Sequence, residues 1–429
     1  MFFLTKTYRF SSLFSANKLS WLSGLLFFFL MLFVPYSYKF FRMLFLALII
    51  SFSIIKAVKD KTVWHPVIIL WFLLFILHGV FFTLIGYDNI GAIRTMTVSF
   101  VWPVLFFLFI GVIDSEKKIL NIFNVIYITG IIITLYTLYY FGCFFGLFPS
   151  SFLLALDMGH SIGIHNGFFE YRLYNISTLV ALTPFMVGLL FVSKNRFTAD
   201  KSKIKIILYT LFVLMPLVIL SGRRGLWVIT ACAPFIGLFW SHFKYGYSVI
   251  RPFARGLSVL SISLLLFFTF LTFCSSTITF DGFLSEVTSI IDFNENTSNS
   301  WKLTQAKLMF DGFVDKPLFG YGIGAEFPNG LRASSQQPWA SELVYNKLLY
   351  DTGVFGITSY FLLIFCVFYG AYIVITKSNK YSDYMIATIT MFSCFMLANA
   401  SNPYINMFDY IWVLFLPICI INRYFIEKR

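Results

Sequence analysis

The chain has 429 residues, 59% hydrophobic and 12% charged, with a formal net charge of +13. No water-soluble globular domain has that composition, and apolar runs of membrane-spanning length recur along it, so it reads as an all-α polytopic membrane protein without the ten-residue alternation of a transmembrane barrel. The positive charge does not imply nucleic acid as a partner, because most basic residues lie in short connections between apolar runs, where they report orientation.

Twelve apolar segments are expected to span the membrane, at roughly 19–37, 40–56, 64–86, 97–113, 120–148, 173–193, 204–221, 225–241, 256–274, 352–375, 383–400 and 408–424. The first is not followed by a small-residue cleavage site and is read as a retained span. Of the 32 Lys and Arg residues, 21 fall on one side if both termini are cytoplasmic. They run from Lys6, Arg9 and Lys18, through the 56–61, 117–118, 194–205, 244–255 and 377–380 connections, to Arg423, Lys428 and Arg429. The positive-inside rule then gives a multi-pass protein of the bacterial inner membrane, a single integral domain over 1–429. Two substantial loops lie on the outer, periplasmic side: 149–172, with Asp157, His160, His165, Glu170 and Arg172, and the longer 275–351. The cytoplasmic connections are too short for a domain. No P-loop or dinucleotide fingerprint occurs, no CxxC pair suggests a metal site or disulfide framework, and no D-x-D pair suggests a metal-dependent nucleotide-sugar transferase.

Chemistry-bearing residues gather on that outer side. In SGRRGLW at 221–227, Arg223 and Arg224 sit between two spans on the face that should be poor in positive charge. Such residues are costly near a membrane, and their guanidinium groups bind phosphate oxygens in a bidentate fork. Anchoring to lipid headgroups is the plainer alternative. Within 301–316, Leu303, Ala306, Phe310, Phe313 and Val314 follow a helical period, so an amphipathic helix is expected, starting at Lys302 and ending before Pro317. A Gly-rich turn follows at Gly320, Gly322 and Gly324, and then Arg332. A further helix is expected to begin near Pro338, with Glu342 in its first turn and Gly353 ending the run. A carboxylate held ionised by the helix dipole, beside basic residues, is a candidate general base; a helix-start acid that only stabilises its helix is the alternative. His160 and His165 are secondary candidates, in a loop large enough for a lid and without metal-ligand spacing.

Three stretches together resemble the O-antigen ligase and O-antigen polymerase (Wzy) superfamily. LSGRRGLWV is similar to the family's short outer turn ending in Arg and a small residue, with Arg224 in the matching place. WKLTQAKLMFDGFVDKPLFGYGIG resembles its basic residue, amphipathic helix and Pro-Leu-Phe-Gly-x-Gly, with Lys302 where Arg is usual. ELVYNKLLYDTGVFG resembles its His-Asn helix ending in Gly-x-x-Gly, with Glu342 where ligases carry His. The missing His looks more like a polymerase, and Lys for Arg replaces a bidentate contact by a point charge.

The resemblance implies an oligosaccharide repeat unit on undecaprenyl pyrophosphate as substrate. It also implies membrane lipids and a chain-length regulator as partners, and neither metal nor other cofactor. Glu342 would take the proton from the acceptor hydroxyl. Arg223, Arg224, Lys302, Arg172 and Arg332 would hold pyrophosphate and glycan and stabilise the departing charge. Two other readings stay open: a ligase delivering finished polymer to lipid A–core, and a flippase of lipid-linked oligosaccharide, for which repeated halves and no long outer loop would be expected.

Overall fold

The computed structural model describes residues 16–59, 63–154, 161–165, 168–192, 201–246, 297–327 and 337–429, with scattered single residues between 254 and 288. The chain is an α-helical bundle. Among the described residues seven helices are long and apolar enough to cross a membrane: Lys39–Lys59, Pro66–Ile85, Ala92–Gly111, Glu116–Phe144, Arg224–Tyr245, Val344–Lys377 and Phe408–Lys428. Four shorter apolar helices lie at Lys18–Phe33, Ile176–Leu190, Lys205–Leu220 and Ser382–Ala398. The expected span at 256–274 lies outside the described residues, apart from a few single positions.

The bundle is ordered by burial. Leu179–Leu190 and Ser382–Ala398 pack against each other and against Arg224–Tyr245. Every residue of Leu179–Leu190 except Leu190 is buried. Such a helix is apolar all round because protein surrounds it. It crosses its neighbour closely: a Cβ on Gly188 would stand 2.8 Å from the Ala387 Cα. The longer helices on the outside, such as Pro66–Ile85, bury one stripe and expose Leu70, Leu73 and Leu77.

Polar contacts sort the two ends. At one, Lys56 and Lys118 flank Asp114, Lys244 donates to the Ser378 carbonyl and Asn379 at 2.9 Å, and Lys380 and Arg423 meet Glu427 at 2.8 and 3.7 Å. These are the basic connections that the charge count puts on one side. The opposite end holds the 34–38 turn, the 86–91 turn, residues 145–154 and 168–175, the 221–223 turn, residues 337–343, and the 399–411 connection.

Within the 149–172 loop, β1 (Ser161–His165) and β2 (Phe168–Arg172) pair as an antiparallel hairpin. Two expectations need correction. The helix expected to begin near Pro338 begins at Val344. Residues 337–343 are taken up by a turn in which Ala340 N donates to the Gln337 carbonyl at 3.1 Å and Leu343 N to Ser341 Oγ at 3.0 Å. Glu342 therefore precedes the helix instead of lying in its first turn. Gly353 kinks the run rather than ending it: at φ 60°, ψ −164° it joins two helical segments, and the second continues to Lys377.

Candidate functional site

The 221–224 turn is built by its own sequence. Ser221 Oγ donates to the Val218 carbonyl at 2.6 Å and accepts from Arg223 N at 3.3 Å. Gly222 takes φ +62°, and a Cβ there would stand 2.6 Å from the Glu170 carboxyl carbon. Glycine thus supplies the left-handed turn and lets the hairpin close over it. Trp227 Nε1 donates back to the Ile219 carbonyl at 2.9 Å and fixes the entry of the helix. Arg223 is the cap and Arg224 the first residue of that helix, so both guanidinium groups spring from a helix N-terminus, where backbone N–H groups already favour anions. From the hairpin, Arg172 Nε meets Glu170 Oε1 at 3.1 Å, with the Arg172 side chain 67% exposed.

The 399–411 connection forms the facing wall. Asn399 is fully buried and ties it down, donating to the Phe395 carbonyl and accepting from Ile405 N, each at 2.7 Å. Position 225 packs against it: a Cβ on Gly225 would lie 3.2 Å from Asn402 Nδ2 and 3.3 Å from Ser401 Oγ. Tyr404 hydrogen-bonds Arg223. Burial pushes the Tyr404 hydroxyl pKa up, Arg223 works against that, and the Glu342 charge adds to it. Behind it, burial and the Asp409 charge push Tyr36 up to about 12. Both phenols therefore stay protonated at neutral pH: Tyr404 accepts from Arg223, and Tyr36 donates to Met407 Sδ.

Lys302 and Glu342 meet here. Lys302 Nζ stands 3.1 Å from Glu342 Oε2 and donates to the Ser401 carbonyl at 3.2 Å. Two residues forty positions apart are thus brought to the wall that Arg223 and Gly225 pack against. Their side chains are 25% and 44% exposed, accessible to a ligand arriving at that end.

The Gly-rich turn secures this register. Gly322 N donates to the Asp351 carbonyl at 2.7 Å, Ile323 N to the Phe82 carbonyl at 2.9 Å, and Asn89 Nδ2 to the Tyr321 carbonyl at 3.0 Å. A Cβ on Gly322 would fall 2.2 Å from the Gly86 backbone, so only glycine permits the contact. Inside the turn, Lys347 Nζ donates to the Ala325 carbonyl at 2.7 Å and meets Asp351 Oδ1 at 2.5 Å.

A cavity of about 400 Å³ opens beside this assembly, between Pro66–Ile85, residues 94–99, the 337–351 stretch and residues 403–414. Ser341 and Val344, on either side of Glu342, line it together with Arg94, Lys347 and Asp351. Arg94, set over the Trp102 ring at 4.9 Å, is a cation the sequence reading missed; it stands three residues before the span expected at 97–113, in the short helix Ala92–Met96.

Of the residues singled out in the sequence, the structure brings Lys302, Glu342 and Arg223 around Ser401 and Tyr404, with Arg224 in the same turn and Arg172 on the adjoining hairpin. Arg332 and His160 lie outside the described residues. His165 closes β1, with its side chain outside the description.

Fold and site define a membrane-embedded helical protein with a cationic, carboxylate-bearing pocket at one end. Residues 208–361 match the family model described as O-antigen ligase. That stretch contains the 221–224 turn, Lys302, the Gly-rich turn and Glu342. The match supports the O-antigen ligase and polymerase superfamily and glycan transfer of that type, without separating the two branches. No curated protein matches the chain.

Proposed function

We propose that the protein polymerises lipid-linked oligosaccharide repeat units, passing the growing glycan from undecaprenyl pyrophosphate to the next lipid-linked unit at the outer face of the inner membrane, with both termini cytoplasmic. The observation that carries this reading is the Lys302–Glu342 pair against Ser401, a carboxylate where the family's ligases carry His. The acceptor sugar hydroxyl attacks the anomeric carbon of the donor chain. The bond from that carbon to the pyrophosphate oxygen breaks, undecaprenyl pyrophosphate departs with the electron pair, and Glu342 takes the hydroxyl proton. Arg223, Arg224 and Arg172 hold the pyrophosphate, aided by the helix N-terminus at Arg224. Lys302, released from Glu342 as the anionic donor enters, adds a further cation. The cavity beside Glu342, with its apolar wall of Phe75, Leu348 and Leu414, takes the part of the substrate nearest the membrane. Tyr404, buried against Arg223 and within reach of the Glu342 charge, keeps the two groups in register.

A ligase is the second reading, favoured by the description of the matching family model. The two part in cells carrying Glu342→Gln at normal protein level. Loss of polymerisation leaves single repeat units; loss of ligation leaves long chains on the carrier that never reach lipid A–core.

A further inference from the structure

The helix Thr297–Asp315 presents three faces. Gln305, Met309 and Gly312 are turned into the protein, Gly312 against the Tyr350 ring. Thr304, Asp311 and Asp315 form an exposed polar face. Leu303, Phe310 and Val314 are 62%, 55% and 59% exposed, on a third face roughly 100° round the helix from the polar one. The apolar stripe that marks this segment as amphipathic therefore points away from the bundle. A lone stripe of this kind in water would be an unexplained apolar patch.

The chain leads from the stripe to the exposed surface of a helix long and apolar enough to cross a membrane. The helix runs into Pro317–Phe319, whose Pro317 and Leu318 carbonyls accept from Val354 N and Phe355 N at 2.8 and 3.2 Å. The Phe319 ring stacks on Phe355 at 5.1 Å. Leu318 and Phe355 are 57% and 56% exposed. From residue 354 the helix continues to Lys377, a length of ~36 Å at 1.5 Å per residue, enough by itself to cross a hydrocarbon core of ~30 Å. Leu318 and Phe319 thus mark the level where that helix enters the membrane, and the Thr297–Asp315 helix starts from that level.

We infer that Thr297–Asp315 is an interfacial helix lying in the membrane leaflet on the site's side, with Leu303, Phe310 and Val314 among lipid acyl chains. Lys307, an exposed residue on the same stripe, reaches from it to lipid phosphate by snorkelling. Because Lys302 lies on this helix and touches Glu342, the pocket borders the leaflet directly. On the glycan-transfer reading, a lipid-anchored substrate then enters sideways from the bilayer; the immersion itself does not rest on that reading.

The test uses the full-length protein in liposomes, in a background with its native cysteines replaced. A nitroxide is attached in turn to a cysteine at positions 303, 310, 314, 304, 311 and 315. Immersion predicts a several-fold higher ratio of oxygen to nickel-chelate collision rates at 303, 310 and 314 than at the other three. Equal ratios would overturn it, by showing a solvated helix. An immobilised label reached by neither agent at 303, 310 and 314 would overturn it too, by showing a second protein surface there. As an independent measurement in the native cysteine background, a photo-crosslinking residue replacing Leu303 or Phe310 is expected to give lipid adducts, and one replacing Asp311 none; adducts absent from all three would contradict the proposal. No glycan enters either readout, so failure of the proposed function leaves the result unchanged.

Discussion

The Lys347–Asp351 pair is where the packing account is most exposed to test. Its side chains are 11% and 9% exposed, and Lys347 also holds the Ala325 carbonyl. Lys347→Met removes the cation and leaves Asp351 buried and uncompensated; Asp351→Leu does the converse. Breaking a buried pair from one side costs ~3–5 kcal/mol, so two independent losses would total ~6–10 kcal/mol. The double variant Lys347→Met with Asp351→Leu leaves no buried charge, only the Ala325 carbonyl and the Gly324 N–H without their partners, at ~1–3 kcal/mol each. The double variant is therefore expected to lose less than the sum of the two single losses. The assay is unfolding of purified protein in mixed micelles, run as a double-mutant cycle. Additive losses, or single variants as stable as wild type, would refute the claim that this pair anchors the Gly-rich turn.

Gly322→Ala should loosen the same turn, since its Cβ would overlap the Gly86 backbone at φ +84°; faster proteolytic cleavage within 316–343 would show it. Arg224→Ala should abolish polymer at normal membrane abundance, and Arg224→Lys should be impaired as well because the fork is lost; normal polymer from both would leave Arg224 as an interfacial anchor. Burial raises the Asp114 carboxyl pKa, but Lys56 and Lys118 outweigh it and hold the group below its usual value. Its contribution to stability is thus complete above the unfolded carboxylate range and lost as pH falls through the lowered value. Asp114→Asn should lower stability at neutral pH and blunt that acid sensitivity, as read by thermal unfolding against pH. A cytoplasm-active reporter fused after Lys203 should give signal and one after Thr297 none; the reverse would overturn the proposed orientation.

Most of the bundle was legible in the sequence. Segments read at 40–56, 64–86 and 120–148 are helices at Lys39–Lys59, Pro66–Ile85 and Glu116–Phe144, because a backbone in lipid must satisfy its own hydrogen bonds and a long apolar run can do so only as a helix. The motif residues Arg223, Lys302 and Glu342 were legible as chemistry, but the 3.1 Å meeting of Lys302 with Glu342 was not. It depends on a Gly-rich turn docking on residues 82–91 and 350–355, and no local pattern encodes such long-range contacts. Periodicity found the stripe of the Thr297–Asp315 helix but could not say what the stripe faces, since lipid and protein core both select Leu and Phe. Arg94, Lys347 and Asp351 went unread for a related reason. Each looks like an ordinary charge at the edge of an apolar run, and only the fold gathers them round one cavity.

The central claim is that Glu342 accepts the acceptor's proton. Its most direct measurement is the rate of glycan extension by purified protein in liposomes supplied with lipid-linked repeat units, followed by mass spectrometry of the glycan ladder and of released undecaprenyl pyrophosphate. Glu342→Gln keeps the size of the side chain and removes proton acceptance, and the account predicts a fall of about 10²–10⁴-fold in extension and release together. Extension by Glu342→Gln at the wild-type rate would contradict it.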